Sequence, residues 1–328
     1  MLEGVAHSSP GSRTQDFLHR AAGITGSPAL PRGRGASPPA PEPMKGIVMR
    51  ASAAAAGLIA LVLALGAGGA DMQRKLEPKD ALPPAPQGQA WKLAWHDEFD
   101  GDQLDASKWE APDNPRRAGF WSPKAVSLDG KGSLVIRTFK EGDKYYDACV
   151  RTRGKFEHTF GYYVARIRLQ ESAGHWSAFW MYTQAQGRVG HGGMDGTEVD
   201  IMEKPWLDGR VQHTLHWDGY GKDHKSEGHV SKNPGVMEGW HTFALLWTPD
   251  EYVFFVDGKE TWRTSAGGVC QVPLYLKLSD ELEFGGWAGD VRAAKLPDEF
   301  LTDYVRVYDL VDARTGEPVM KPKPLADF

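Results

Sequence analysis

From Trp91 onward, apolar residues come in short runs broken by turn residues, and no stretch keeps a helical period. The runs at 134–138, 162–169, 177–182, 242–248, 252–256, 274–278 and 304–308 are rich in β-branched and aromatic side chains, the composition of strands. Asp-Gly, Gly-Lys-Gly and Pro-Asp sequences separate them, and Asp257-Gly258 is a strong hairpin signal. No internal repeat interrupts this pattern. Many short strands with turns at close intervals predict an all-β sandwich of two packed antiparallel sheets.

One segment breaks the alternation. Glu198-Val199-Asp200-Ile201-Met202-Glu203 carries three acids among apolar residues. In a regular strand Glu198 and Asp200 share a face while Glu203 points the other way. One extra residue, a β-bulge near Ile201 or Met202, would flip the parity and bring all three acids to one face. Two carboxylates on one face, with a third between them, suit double-displacement glycoside hydrolysis, in which one attacks the sugar carbon and the other protonates the departing oxygen. Five residues of extended chain separate the glutamate backbones by roughly 15 Å. The retaining mechanism wants the carboxyl groups about 5–5.5 Å apart, so the side chains must lean together across a curved sheet.

The N-terminal part reads differently. Residues 1–43 are rich in Pro, Gly, Ser and Arg without an apolar period, and are expected to be disordered or an artefact of start-codon choice. From Met44 the layout is that of a secretory signal over 44–70: Lys45 and Arg50, then the apolar stretch 53–65, then small residues to Ala70. An uncleaved single-span anchor is the alternative, set against the shortness of the apolar run. Residues 71–90, with Pro78, Pro83, Pro84 and Pro86, read as an exposed linker. A domain over 91–310 and a tail over 311–328 complete the chain. The expected location is secreted or periplasmic, with no stable membrane association after signal cleavage. The net charge of −5 offers no basic stripe for nucleic acid. Twelve Trp and 38 Gly suit a β-sandwich with a sugar-binding cleft. The two cysteines, Cys149 and Cys270, either pair in an exported protein or stand as two buried thiols.

Several separated blocks resemble glycoside hydrolase family 16, the laminarinase, lichenase, agarase and carrageenase group. They are Trp95-His96-Asp97-Glu98-Phe99-Asp100-Gly101, Gly161-Tyr162-Tyr163-Val164-Ala165-Arg166-Ile167, Trp176-Ser177-Ala178-Phe179-Trp180, the bulged acid motif, His216-Trp217, Trp240-His241-Thr242-Phe243, Val256-Asp257-Gly258 and Asp303-Tyr304-Val305-Arg306-Val307-Tyr308. The resemblance implies a β-jelly roll of two curved antiparallel sheets with a concave substrate cleft. It implies a glycosidase with Glu198 as nucleophile, Glu203 as acid/base and Asp200 between them. Glu198 must then be ionised while Glu203 holds a proton near neutral pH. Trp180, Trp176 and Trp121 are candidate sugar platforms, since aromatic faces stack on pyranose C–H faces, although packing in the core is the plainer role for each. His216 matches a family histidine that borders the acid/base. Catalysis needs no cofactor. A structural Ca²⁺ on the convex side would use Asp303 with a Gly130 or Gly132 carbonyl, and it needs six or more oxygens.

The expected partner is a polysaccharide, and the protein is expected to be a monomer. The bulged motif and the Trp-Ser-Ala-Phe-Trp block favour an endo-acting β-1,3- or mixed-linkage glucanase. Gly119-Phe120-Trp121-Ser122-Pro123 and Leu278-Ser279-Asp280-Glu281 depart from the laminarinase blocks and look closer to agarase- or carrageenase-like galactan hydrolases. Arg116, Arg117, Arg151 and Arg153 are available for sulfated galactans. A non-catalytic glucan-binding module is a third reading, opposed by the presence of both glutamates. The segment 187–193 is expected to form a mobile loop over the cleft.

Overall fold

A period of two governs the folded chain and brings two sheets face to face. The computed structural model describes residues 82–325, so the readings of 1–43, of the signal at 44–70 and of the linker up to residue 81 lie outside the described residues. One sheet orders the strands Lys225–Lys232, Arg210–Trp217, Glu198–Lys204, His175–Tyr182, Leu274–Leu282 and Cys149–Arg151, each antiparallel to the next. The other runs Lys259–Thr264, Tyr252–Val256, His241–Trp247, Gly161–Arg168, Asp298–Asp312 and Leu134–Glu141. It continues through Lys144–Asp147 to the short strands Gly119–Trp121 and Asn114–Arg116, which reach the rim of the first sheet. The architecture is the expected all-β jelly-roll sandwich.

Between the sheets lies one apolar core. The first sheet contributes Val199, Phe179, Met181, Leu215, Leu276 and Leu278, and the second contributes Tyr163, Ile167, Phe243, Leu245, Trp247, Phe254 and Val305. Each buried side chain of this size contributes roughly 1.5–3 kcal/mol relative to exposure. Cys149 and Cys270 are both buried free thiols, the second of the two readings open from sequence. The ordered body begins before Trp91: Gln89 opens the first strand, and the Trp91 indole donates to the Pro83 carbonyl at 2.7 Å. The last long strand runs to Asp312, after which the tail folds back so that Val319 N–H donates to Leu310 O at 3.0 Å. The segment 187–193 packs on neighbouring turns, with Gly193 N–H donating to Gly267 O at 2.7 Å, and only Gln184 from its flank lines the cleft.

The acid strand is bulged where alternation requires it. Asp200 pairs with Thr214 but Glu203 with Gln212, three residues on one strand against two on its neighbour. On the other side Trp180 pairs with Asp200 and Phe179 with Met202. Ile201 and Met202 therefore both face the core, fully buried, and Glu198, Asp200 and Glu203 share the opposite face.

A bulge leaves backbone groups without ladder partners, and an unsatisfied buried carbonyl is costly. The partner here is His213, on the core face of the adjacent strand and itself fully buried. Its Nδ1 lies 2.8 Å from the Ile201 carbonyl, so Nδ1 carries the proton and donates. Nε2 lies 3.0 Å from Thr261 Oγ1 and 3.2 Å from Ser231 Oγ, hydroxyls able to donate to it. Burial pushes the imidazole pKa down from 6.5 to about 4.

A histidine buried in its neutral form makes stability depend on pH. The unfolded chain takes up this proton before the folded one does. The contribution is thus complete above the unfolded value of 6.5 and is lost as pH falls toward about 4. Urea titrations across this window should show a loss of roughly 3 kcal/mol attributable to His213. In His213→Asn, whose amide can still donate to Ile201 O, the pH slope should flatten by that amount. Equal slopes in the two proteins would count against this role.

Candidate active site

Four neighbouring strands present one face to solvent, and their outward residues form a lattice. Tyr275, Lys277, Ser279 and Glu281 stand beside Tyr182, Trp180, Ala178 and Trp176. Next come Asp200 and Glu203, then Thr214, with Glu198 opposite His216. Asn114–Arg116 and Trp121 supply a wall, enclosing a cleft of about 600 Å³ lined by Glu198, Glu203, His216, Tyr220, Trp176 and Lys277 among others. This size is ordinary for a binding site.

The three acids occupy different electrostatic surroundings. Glu203 is buried, and both its oxygens are held: Trp176 Nε1 donates to Oε1 at 2.9 Å and Thr214 Oγ1 to Oε2 at 2.6 Å. Burial outweighs these two bonds and lifts its pKa from 4.5 to about 7. Glu198 is raised as well, by burial, but the Tyr220 hydroxyl that donates to it and the Lys277 ammonium pull it back toward the ionised form. Asp200 is pushed well above the usual carboxylate range by burial and then by the Glu203 and Glu198 charges, which favours its neutral form.

His216 borders this group. Its Nε2 lies 3.5 Å from Asp200 Oδ2 and its Nδ1 3.0 Å from His224 Nε2. Burial, with His224 alongside, pulls its pKa down to about 4, so the ring is neutral at neutral pH. Polar atoms of Glu198, Asp200 and His216 lie within 4.8 Å of one another, a donor set able to hold a cation. With Asp200 favoured neutral, the same geometry suits proton sharing.

All the residues singled out for sugar contact line the cleft, and each of the three tryptophans carries a cation on one ring face. The Lys277 ammonium sits 3.3 Å from the Trp180 ring centroid, and the Trp180 indole N–H donates to Ser279 Oγ at 2.9 Å. Arg117 lies over Trp176 at 4.0 Å and Arg116 over Trp121 at 5.0 Å. Trp121 Nε1 donates to the Asp280 carbonyl at 2.8 Å. Trp176 also reaches the acids, through its N–H to Glu203. Both arginines share one carboxylate, since Arg116 Nε donates to Glu281 Oε1 at 2.7 Å and Arg117 Nε to Glu281 Oε2. Arg151 also lines the cleft and is held by both oxygens of Glu110, at 2.8 and 2.9 Å.

Asp303 stands elsewhere, in the second sheet. Its Oδ2 accepts from Arg166 Nη1 at 2.8 Å, so one of its oxygens is already committed to a guanidinium, a poor neighbour for a divalent cation. Sequence reasoning missed Thr214, Tyr220 and Lys277. Thr214 was legible in principle, because it stands two residues before His216 and so shares its face of the strand. Tyr220 was not. It reaches Glu198 through a turn in which Asp218 and Gly219 both take the left-handed conformation.

Comparison with known proteins follows the same lines. The family model described as glycosyl hydrolases family 16 matches residues 116–306. A keratan-sulfate endo-1,4-beta-galactosidase of Sphingobacterium multivorum is 30% identical over 240 residues, 67% of this chain and 56% of that protein. A beta-glucanase of Rhodothermus marinus is 29% identical over 248 residues, 68% of this chain and 86% of that one. Among solved structures, the endo-beta-1,3-glucanase of Pyrococcus furiosus superposes with a TM-score of 0.58 at 26% identity, covering 71% of this chain and all of that chain.

The hydrogen bonds to Glu203 stabilise its charged form, so removing one should raise its pKa further. Followed by ¹³C NMR of the side-chain carboxyl, Glu203 should titrate near 7 in the parent. In Thr214→Val it should move up by about one unit, ~1.4 kcal/mol. A value near 4.5 in the parent, or a downward shift in the variant, would contradict this account.

Proposed function

This chain belongs to the glycosyl hydrolases of family 16, and we propose that it cleaves internal β-glycosidic bonds of a polysaccharide with retention of configuration. The observation that carries the reading is the common face of Glu198, Asp200 and Glu203, made by the bulge at Ile201–Met202. The endo mode is taken from the names of its relatives, and so is the range of backbones: a beta-glucanase on one side, a keratan-sulfate endo-1,4-beta-galactosidase on the other. The β-glucan expectation and the galactan expectation both fall within it. The export signal read in the sequence at 44–70 supports action outside the cytoplasm, and a monomer is the state we assign.

In the first step an oxygen of Glu198 attacks the anomeric carbon. The glycosidic C–O bond breaks, and the Glu203 proton goes to the departing oxygen. A pKa near 7 keeps that proton in place at neutral pH, as a general acid requires. In the second step the Glu203 carboxylate takes a proton from water as the water oxygen attacks the same carbon and frees Glu198. Asp200, favoured neutral beside Glu198, adds no repelling charge while the nucleophile is ionised, and Tyr220 and Lys277 favour that ionised form. No step draws on a metal.

Reducing ends released from laminarin, lichenan, agarose and keratan sulfate measure the activity. Glu203→Ala should lose roughly 10²–10⁴-fold in kcat. On an aryl β-glycoside, whose leaving group departs without a proton, azide small enough to enter the vacated space should restore turnover of this variant, read as released phenol, and yield a β-glycosyl azide. Glu198→Gln should show no turnover and no azide rescue of that kind. Parent-like rates in Glu198→Gln would remove the nucleophile from the scheme.

A further inference from the structure

We propose that the cleft is built for a polysaccharide bearing anionic substituents, sulfate esters or carboxylates, and that Lys277 seats one of them beside Trp180. The inference rests on the glycanase reading of the same cleft. Lys277 is one strand from Trp180 and two from Asp200, roughly 10 Å across the sheet from the reacting face. It is only 6% exposed yet lines the cleft.

Its surroundings are unusual for a buried ammonium. The charge rests against rings, 3.3 Å from the Trp180 centroid, 5.4 Å from Trp121 and 5.9 Å from Tyr182. Among the described residues no carboxylate or carbonyl takes its protons. Aromatic faces offset part of the cost of burial but accept no conventional hydrogen bond, so up to three N–H donors remain to be matched. A sulfate or carboxylate oxygen matches them with an opposite charge, which a sugar hydroxyl lacks.

The rest of the cleft agrees. Arg116 and Arg117 divide one carboxylate, Glu281, between them, which leaves one positive charge in surplus on that wall. The indole faces of Trp180, Trp176 and Trp121 carry Lys277, Arg117 and Arg116. A neutral pyranose would have to displace a cation to stack on any of these faces. An anionic sugar meets the cations directly.

Affinity electrophoresis of the Glu198→Gln protein tests binding apart from turnover. The gels contain keratan sulfate, the same polymer desulfated, carboxymethyl-laminarin or laminarin. Retardation should be at least about tenfold stronger with one of the two anionic polymers than with desulfated polymer or laminarin, and which polymer it is separates sulfate from carboxylate. Adding Lys277→Met should remove that preference, and Lys277→Arg should keep it. Equal retardation by laminarin, no retardation by either anionic polymer, or an unchanged preference in Lys277→Met would each overturn the proposal. If Lys277→Met does not fold, Lys277→Gln is read in its place, and an unchanged preference for the anionic polymer there overturns the proposal. In parallel, binding without release of reducing ends by the unsubstituted protein would sink the glycanase reading and leave the anion seat standing.

Discussion

One extra residue in one strand governs this site. Without the bulge at Ile201–Met202, Glu203 would point into the apolar core, where an unpaired carboxylate is very costly, and the cleft would lose that carboxyl group. With it, Ile201 and Met202 both gain burial and the three acids share one face. The arrangement depends on satisfying the backbone that the bulge frees. That requirement explains a fully buried, neutral histidine with each ring nitrogen facing a partner, inside an otherwise apolar layer. The core side of the sheet thus helps to set the chemistry of its solvent side.

The common face then makes the acids unequal. Burial raises all three, and neighbours separate them. Glu203 is held by two neutral donors and keeps a pKa near 7, whereas Glu198 has a hydroxyl and an ammonium favouring its charge. Asp200, between two carboxylates, has burial and repulsion acting in the same direction. A shared low-dielectric floor with different partners is a physical route to one proton donor and one nucleophile from identical side chains.

Much of this was legible in the sequence. The strand runs, the two-sheet packing and the bulge followed from period two and from the misfit of Glu198, Asp200 and Glu203 with it. What sequence did not reveal depends on contacts between distant segments. Trp180, Trp176 and Trp121 line the cleft, but nothing local says that Lys277, Arg117 and Arg116 each lie over one of their faces. Asp303 fits a calcium motif by pattern, yet Arg166 reaches it from 137 residues away in sequence. Cys149 and Cys270 could be counted but not paired or separated without coordinates. Register across strands, rather than composition along one, decided each of these.

The anomeric configuration of the first product tests the central claim most directly, because it reports how the two glutamates stand to the sugar. ¹H NMR of a β-linked polymer digest, recorded before mutarotation, reads it without assumptions about the backbone. Glu198 and Glu203 acting in two displacements predict a β reducing end appearing first. An α reducing end appearing first would mean a single displacement by water and would contradict the account.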